Sequence, residues 1–154
     1  MATATTYIQI RSGIAAYLTA NLDWATEDGT FDYFPTDAAT VFGNLPAVIV
    51  DFDRSENVRW TPVEEGYLKG VPVLIEIYVH KEKPDASGGR DASELIANYL
   101  DDVENLFKQT PSIGQLVKTS EILNSKVETL ILEATNLGLL SRWAWVSIIA
   151  YIVA

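Results

Sequence analysis

Two carboxylates stand close together in the run Asp51-Phe52-Asp53, and their spacing suggests chemistry. The β-branched residues before them predict a strand, on which side chains two positions apart point to the same face. Such a pair can share a divalent cation when further oxygen ligands complete the coordination shell. No third ligand stands at a recognisable spacing. We therefore expect Asp51 and Asp53 to be solvated at a strand end, and we expect no metal site.

His80 is the single histidine, and the chain has no cysteine. Disulfides, thiolate metal sites and cysteine nucleophiles are therefore excluded. His80 precedes charged residues at a predicted strand end, which indicates a surface position, and no Gly-x-Ser-x-Gly pattern marks a nucleophile. Gly88-Gly89-Arg90 precedes a helix as a phosphate loop would, but the Walker pattern is missing and Asp91 places a carboxylate where phosphate would bind. The sequence predicts neither a catalytic centre nor a cofactor.

The 154 residues include 11 Lys and Arg against 21 Asp and Glu, which gives a net charge of −10. No Lys or Arg stands between Arg11 and Arg54, so this stretch is predicted to be an acidic surface or loop. Surfaces that grip nucleic acid need clustered cations to displace phosphate counterions. The apolar run 143–154 is too short to span a membrane as a helix, which needs about 20 residues. We expect one soluble domain over residues 1–154.

Apolar spacing predicts two amphipathic helices. Residues 7–22 carry apolar side chains three and four positions apart, which predicts a first helix that ends near Asn21. A second helix is predicted over residues 91–108, where Asp91 and Glu94 have the spacing of a capping box. Its acidic residues are expected on its solvent face, away from the apolar stripe: Asp101, Asp102 and Glu104.

Strand signals follow in the middle of the chain. One strand is predicted directly after Pro46, and residues 67–81 alternate valine and isoleucine on one face. Pro72 lacks a backbone N–H, so we expect it at an edge or ahead of regular pairing. Residues 54–66 join these strands as a polar arm, predicted to be the extended tip of a hairpin.

The C-terminal part predicts further strands. Residues 117–123 and 127–134 are predicted to form a hairpin about Asn124-Ser125. The last strand, 140–154, is apolar on both faces and should lie inside the sheet. Because strands and helices do not alternate strictly, we predict an α+β fold, a mostly antiparallel β-sheet with two main α-helices packed on it and an extended hairpin arm.

Aromatic residues outside the periodic runs are candidates for contact with other molecules. Trp60 lies on the polar arm, and exposed loop tips often make contacts. Residues 23–45 form a connection that is unusually long for a compact domain, which predicts hidden short elements or an interaction loop. The candidate subunit or partner interface comprises Trp60, Arg59, Tyr67, Trp24, Phe31, Tyr33 and Phe34.

The order of these elements resembles the tail-terminator, or tail-completion, proteins of tailed bacteriophages. The matching features include the amphipathic first helix, the run Leu45-Pro46-Ala47-Val48-Ile49-Val50 at the start of the sheet, and the hairpin arm. The long strand 71–80, the helix from Asp91 and the apolar last strand 143–151 continue the match. The resemblance extends over nearly the whole chain.

Members of that family form a ring, commonly of six subunits, that sits on the finished tail tube, stops its polymerisation and presents a surface for joining the head. The resemblance implies a structural protein of the virion tail or neck, assembled in the host cytoplasm and without enzymatic activity. Its implied partners are further copies of itself, the tail tube protein and a head-completion or connector protein. DNA would pass through the ring without specific binding, since like charges repel within a Debye length of about 10 Å.

Two other functions fit the same residues. A head-closure or neck protein of the same particle would share the acidity and the oligomeric use. A small α/β module could instead hold a ligand or a peptide in a pocket lined by aromatic residues. The residues for such a pocket are Trp24, Phe31, Tyr33 and Phe34.

Overall fold

The computed structural model describes residues 3–37, 40–41, 43–80, 92–131 and 140–154. Thr6 begins the first helix, because its Oγ1 accepts a hydrogen bond from the backbone N–H of Gln9 at 3.2 Å. Such a cap typically stabilises a helix by about 1 kcal/mol. In chain order the elements are α1 (Tyr7–Asn21), β1 (Thr30–Phe31), β2 (Ala47–Phe52), β3 (Arg59–Val63), β4 (Gly66–His80), α2 (Ala92–Gln109), β5 (Thr119–Ile131) and β6 (Leu140–Val153).

The strands form one sheet in the order β1-β2-β4-β6-β5, and β3 pairs with β4 on the side where β2 lies. The short β1–β2 pair is parallel, and the other described pairs are antiparallel. Both helices pack on the same face of this sheet. The predicted α+β fold with its mostly antiparallel sheet is confirmed, and β6 lies inside the sheet as its apolar faces predicted.

The main core lies between the helices and one face of the sheet, which we call the helix-side face. Alternate residues of β4 point into it and are at most 1% exposed, as the alternation predicted: Val71, Val73, Ile75, Ile77 and Val79. α1 adds Ile10, Ile14 and Leu18, which are fully buried. Burying one such aliphatic side chain contributes about 1.5–3 kcal/mol. Within the described ranges, no helix is both long enough and apolar enough to cross a membrane.

The opposite face of the sheet, which we call the open face, carries a smaller core near β1. Phe31 and Val41 of the long connection pack there over Ile49 and Tyr78. The connection therefore contains a short strand and its own packing contacts. Strand β1 and these packing contacts are therefore short elements within residues 23–45, one of the two possibilities that the length of this connection predicted.

Pro72 lies inside β4, at the point where this strand changes partners. β4 pairs with β3 up to Gly70 and with β2 from Val73 onward. The carbonyl of Pro72 accepts the backbone N–H of Asp53 at 3.2 Å, just after β2 ends. The missing N–H of Pro72 therefore falls in a gap of the ladder, which explains how a long interior strand tolerates a proline.

The predicted hairpin about Asn124-Ser125 is wrong. β5 is one continuous strand that pairs with β6 along its length, and a bulge between Ile122 and Asn124 absorbs one residue. The Asn124 Oδ1 accepts the Ser125 backbone N–H at 2.9 Å, a local side-chain hydrogen bond of the kind that makes asparagine common in turns. Of the other predicted features, the connector 83–90, the cap Asp91 and residues 132–134 lie outside the described residues.

Candidate functional site

The segment predicted as a polar arm, residues 54–66, contains a strand that the sequence did not predict, because β3 pairs with the first part of β4. From here on, the arm means this hairpin, residues 58–69. The rings of Trp60 and Tyr67 meet edge to face, with centroids 6.5 Å apart. The Nζ of Lys69 lies 5.4 Å from the centroid of the Trp60 ring and 4.2 Å from that of the Tyr7 ring. An ammonium is thus held between an aromatic ring of the arm and one of α1.

The arm exposes large apolar side chains. Trp60 is 57% exposed and Tyr67 is 52% exposed. Val58 and Val63 on the arm are also exposed. Val153 at the end of β6 is exposed as well, and it pairs with Leu68 of the arm. Single exposed apolar residues are ordinary, but a group of them marks a contact surface.

Arg59 connects the arm to β5, the edge strand on the opposite side of the sheet, through an ion pair. Its Nη1 lies 3.4 Å from the Oε1 of Glu121 on β5, and the hydroxyl of Tyr151 donates to the same oxygen at 2.9 Å. The Tyr151 ring lies over Gly70, where a Cβ would come within 2.8 Å of the ring. Because the ion pair is exposed, we expect it to add no more than about 1 kcal/mol. Its main effect is to fix the direction of the arm.

The aromatic residues of the long connection divide into exposed and packed ones. Tyr33 is 50% exposed and Phe34 is 56% exposed, whereas Phe31 is 8% exposed and belongs to the small core of the open face. The ring of Trp24 stacks on that of Tyr99 with centroids 4.0 Å apart. The Nε1 of Trp24 donates a hydrogen bond to Asp102 at 3.0 Å. Asp102 therefore lies on the solvent face of α2, as expected, and also binds Trp24.

Trp24→Ala is expected to lower the free energy of unfolding by about 2–3 kcal/mol, since it removes both the stacking contact and the hydrogen bond that hold the connection to α2. Trp24→Phe keeps a stacking ring and should cost about 1 kcal/mol, the usual size of one hydrogen bond. Urea unfolding measures both changes. If Trp24→Ala left stability unchanged and abolished assembly, Trp24 would be an interface residue instead.

A pocket of about 560 Å³ opens on the open face beside Phe34. Phe34 and Leu74 give it apolar walls, and carboxylates outnumber the single guanidinium of Arg54 around it. We call it the acidic pocket. Its lining comprises Phe34, Asp51, Phe52, Asp53, Arg54, Ser55, Leu74 and Glu76.

Asp53 is buried at 7% exposure, so the expectation of a solvated strand end is wrong for this residue. Its carboxylate accepts the backbone N–H of Ser55 at 3.1 Å, the hydroxyl of Ser55 at 2.6 Å and the hydroxyl of Ser147. Burial alone would raise the pKa of Asp53, but the hydrogen bonds from Ser147 and Ser55 together lower it below the ordinary value. Asp53 thereby connects the end of β2 to β6, across β4.

Asp51 has a different partner. Its Oδ1 lies 3.3 Å from the Nη1 of Arg11 on α1 and accepts the backbone N–H of Phe52 at 2.8 Å. The two carboxylates are thus held separately by the protein. Among the residues that the structure describes, no group of three or more His, Cys, Asp and Glu side chains is placed to hold a metal ion. The side chain of His80 lies outside those residues.

Glu76 is a second buried carboxylate of the pocket, also 7% exposed. Its Oε2 accepts the hydroxyl of Tyr78 at 2.7 Å. Burial raises the pKa of Glu76 and the charge of Asp51 adds to the effect, although the bond from Tyr78 opposes it. Burial and the nearby Glu76 carboxylate also raise the pKa of Tyr78, which keeps its hydroxyl protonated.

Glu76→Gln is expected to increase the free energy of unfolding at pH 7 by about 1 kcal/mol, because it removes a buried charge and keeps an oxygen for Tyr78. The folded-state pKa of Glu76 lies above the ordinary 4.5, so the folded chain binds more protons than the unfolded chain. Its contribution to stability is therefore complete below that value and declines as the pH rises toward the folded pKa.

Urea unfolding of wild type and Glu76→Gln between pH 4 and pH 7 tests this. The two proteins should have similar stability at pH 4, and the variant should gain relative to wild type as the pH increases. A variant that is less stable than wild type at pH 7 would show that the charged form of Glu76 is favoured in the folded protein.

The predicted interface residues do not form one surface. Trp60 and Tyr67 lie together on the arm, whereas Phe34 lines the acidic pocket and the ring of Tyr33 contacts that of Phe31. Arg59 is engaged in an ion pair, while the packed residues are Trp24 and Phe31. Comparison of the sequence with models of protein families gives no match, and neither does comparison with the curated proteins.

Proposed function

We propose that this chain is a structural subunit of a bacteriophage tail, which forms a ring at the head-proximal end of the tail tube. The ring ends polymerisation of the tube and provides the surface to which the head is joined. The observation that carries this proposal is the arm, because Trp60 and Tyr67 are exposed side by side on it. The resemblance to tail terminators supplies the ring and its commonest size, six copies.

The arm has the properties of a surface prepared for another protein. Tryptophan, tyrosine and arginine are the residues that most often dominate binding energy at protein interfaces. Burying apolar surface contributes roughly 25 cal/mol per Å² removed from water. Because β3 and β4 pair with each other and Arg59 is tied to Glu121, the arm is ordered before it binds. An ordered binding surface loses less conformational entropy on association.

The proposed mechanism is steric and interfacial, with no chemical step. Contacts between neighbouring copies close the ring, and one side of the ring covers the growing end of the tube. The other side receives the head-completion or connector protein. The net charge of −10 disfavours adhesion of DNA that passes through the ring. The protein would then belong to the tail or neck of the virion and assemble in the host cytoplasm.

A polymerisation assay tests this function. Tail tube subunits that polymerise in the presence of the labelled chain are expected to give shorter tubes, each labelled at one end, as seen by electron microscopy. The Trp60→Ala variant serves as the matched control and should leave tube length unchanged. Tubes that elongate normally and carry no label at their ends would contradict the proposal.

The acidic pocket favours a second candidate function, a module that binds a small cationic ligand or a basic peptide. Its volume of about 560 Å³ lies in the range of ligand sites, which is about 300–1,000 Å³. Binding to the folded state would raise the thermal unfolding midpoint. An unchanged midpoint across a panel of amines, guanidines and basic peptides would count against this candidate.

A neck or head-closure protein would instead be distinguished by its axial position in the particle.

A further inference from the structure

The chain displays two exposed aromatic groups on opposite faces of its sheet. Trp60 pairs with Lys69, and Lys69 pairs with Ile152, whose side chain is in the main core. Residues that lie directly opposite each other on neighbouring strands share a face. Trp60 therefore lies on the helix-side face. Phe34 lies beside Leu74 and Glu76 in the acidic pocket, which opens on the open face.

The two groups complement each other in size and polarity. The arm presents an exposed indole ring beside the ammonium of Lys69. The acidic pocket presents apolar walls beside the buried carboxylates of Asp53 and Glu76, each 7% exposed. An aromatic ring that enters together with a cation would fill such a pocket and compensate its negative charge.

The remaining charges of both surfaces are also complementary. Glu64 and Glu65 form the exposed turn at the end of the arm, next to Tyr67. The exposed Arg54 lies at the acidic pocket and is the single cation of its lining. The arm thus carries acidic residues at its tip and a cation near its base, while the pocket carries a cation at its mouth and acids below it.

We propose that the arm of one copy of this chain docks in the acidic pocket of the next copy. Trp60 packs against Phe34 and Leu74, the Lys69 ammonium faces the carboxylates of the pocket, and Arg54 faces the turn at residues 64–65. This inference rests on the proposed function, since it assigns the contact between neighbours in the ring. Because the two surfaces differ, the contact is head-to-tail, the type that generates a ring when its rotation closes and a filament when it does not.

Complementation between two variants tests this contact. Trp60→Ala damages the arm and leaves the pocket, and Phe34→Ala damages the pocket and leaves the arm. Each variant alone is expected to assemble at least about tenfold more weakly than wild type. Mixed in equal amounts, they should form a one-to-one dimer and nothing larger, because the dimer retains one intact contact and has no second one. Native mass spectrometry of variants that differ in mass identifies that species.

A charge reversal gives a second measurement that does not depend on apolar packing. Arg54→Glu alone should weaken assembly, and Glu64→Lys combined with Glu65→Lys should do the same. All three substitutions in one chain should restore it, because every contact in the ring then has both changes. These side chains are exposed, so the folded monomer, checked by circular dichroism, should be unaffected.

The outcomes separate this contact from the proposed function. If wild type forms rings but the mixed variants give no dimer and the charge reversal gives no rescue, the arm-to-pocket contact is overturned and the ring proposal stands. If wild type is monomeric with and without tube subunits, the ring proposal fails, and this contact with it. A dimer in the mixture together with rescue supports the contact.

Discussion

Trp60→Ala is expected to abolish ring assembly at concentrations at which wild type is fully assembled, while the monomer remains folded. An interface tryptophan typically contributes about 2 kcal/mol or more, which is roughly a 30-fold change in the association constant of one contact. A closed ring repeats that contact between every pair of neighbours, so the loss is compounded. The side chain is 57% exposed in the monomer, and therefore little packing is lost from the fold.

Sedimentation velocity measures assembly of this variant, and urea unfolding measures its stability. Val127→Ala is the matched control, because it truncates a 41% exposed apolar side chain on β5, at the opposite edge of the sheet from the arm. The control should assemble like wild type. If Trp60→Ala unfolds while its folded fraction assembles normally, Trp60 acts in the fold and not at an interface.

Asp53→Ala is expected to lower the free energy of unfolding by about 3 kcal/mol at pH 7. The carboxylate accepts hydrogen bonds from Ser55 and Ser147. Its removal leaves the buried hydroxyl of Ser147 without this partner, whereas Ser55 is exposed to water. Hydrogen bonds to a charged group contribute about 1.5–3 kcal/mol, and an unsatisfied buried donor adds its own desolvation cost. The effect should be larger than that of any exposed substitution.

The pH dependence of this effect has a definite sign. The pKa of Asp53 is lowered in the folded protein, so its contribution is complete above the ordinary value of 3.8 and is lost as the pH falls through the folded value. A double-mutant cycle of Asp53→Ala with Ser147→Ala, followed by urea unfolding at pH 7, isolates the pair. A coupling energy near zero would mean that the two side chains stabilise the protein independently.

Strong periodicity is the part of this fold that could be predicted from sequence. The alternation of Val71, Val73 and Ile75 predicted a strand and its buried face, because a two-residue period leaves few other structures. The apolar stripe of α1 predicted its end at Asn21. Hydrophobic burial sets these patterns locally, and the residues within one element are sufficient to recognise them.

The incorrect predictions concern contacts between distant residues. Asn124-Ser125 favours a turn by local chemistry, but β6 offers a continuous partner and the strand accommodates the pair with a bulge. By its local sequence Asp53 is an ordinary acidic residue at a strand end, and its partner Ser147, on β6, is distant in the sequence. By its local sequence Trp24 has no partner, and its ring stacks on that of Tyr99 on the distant helix α2. Sequence spacing carries no information about such pairs.

The candidate site was predictable in part. Trp60 stands in a polar segment, and this isolation indicated an exposed position, which the arm confirms. The Lys69 ammonium beside it and the buried Glu76 were missed, because both lie in an alternating strand where one polar residue is unremarkable. Their surroundings follow from strand pairing, which places Lys69 opposite Trp60 and Glu76 opposite Ile49.

Native mass spectrometry of the purified chain, alone and with tail tube subunits, tests the ring proposal most directly. We predict a discrete ring species, six copies by the resemblance to tail terminators, which binds the end of the tube. A chain that stays strictly monomeric and neither forms rings nor binds the tube would contradict the proposal.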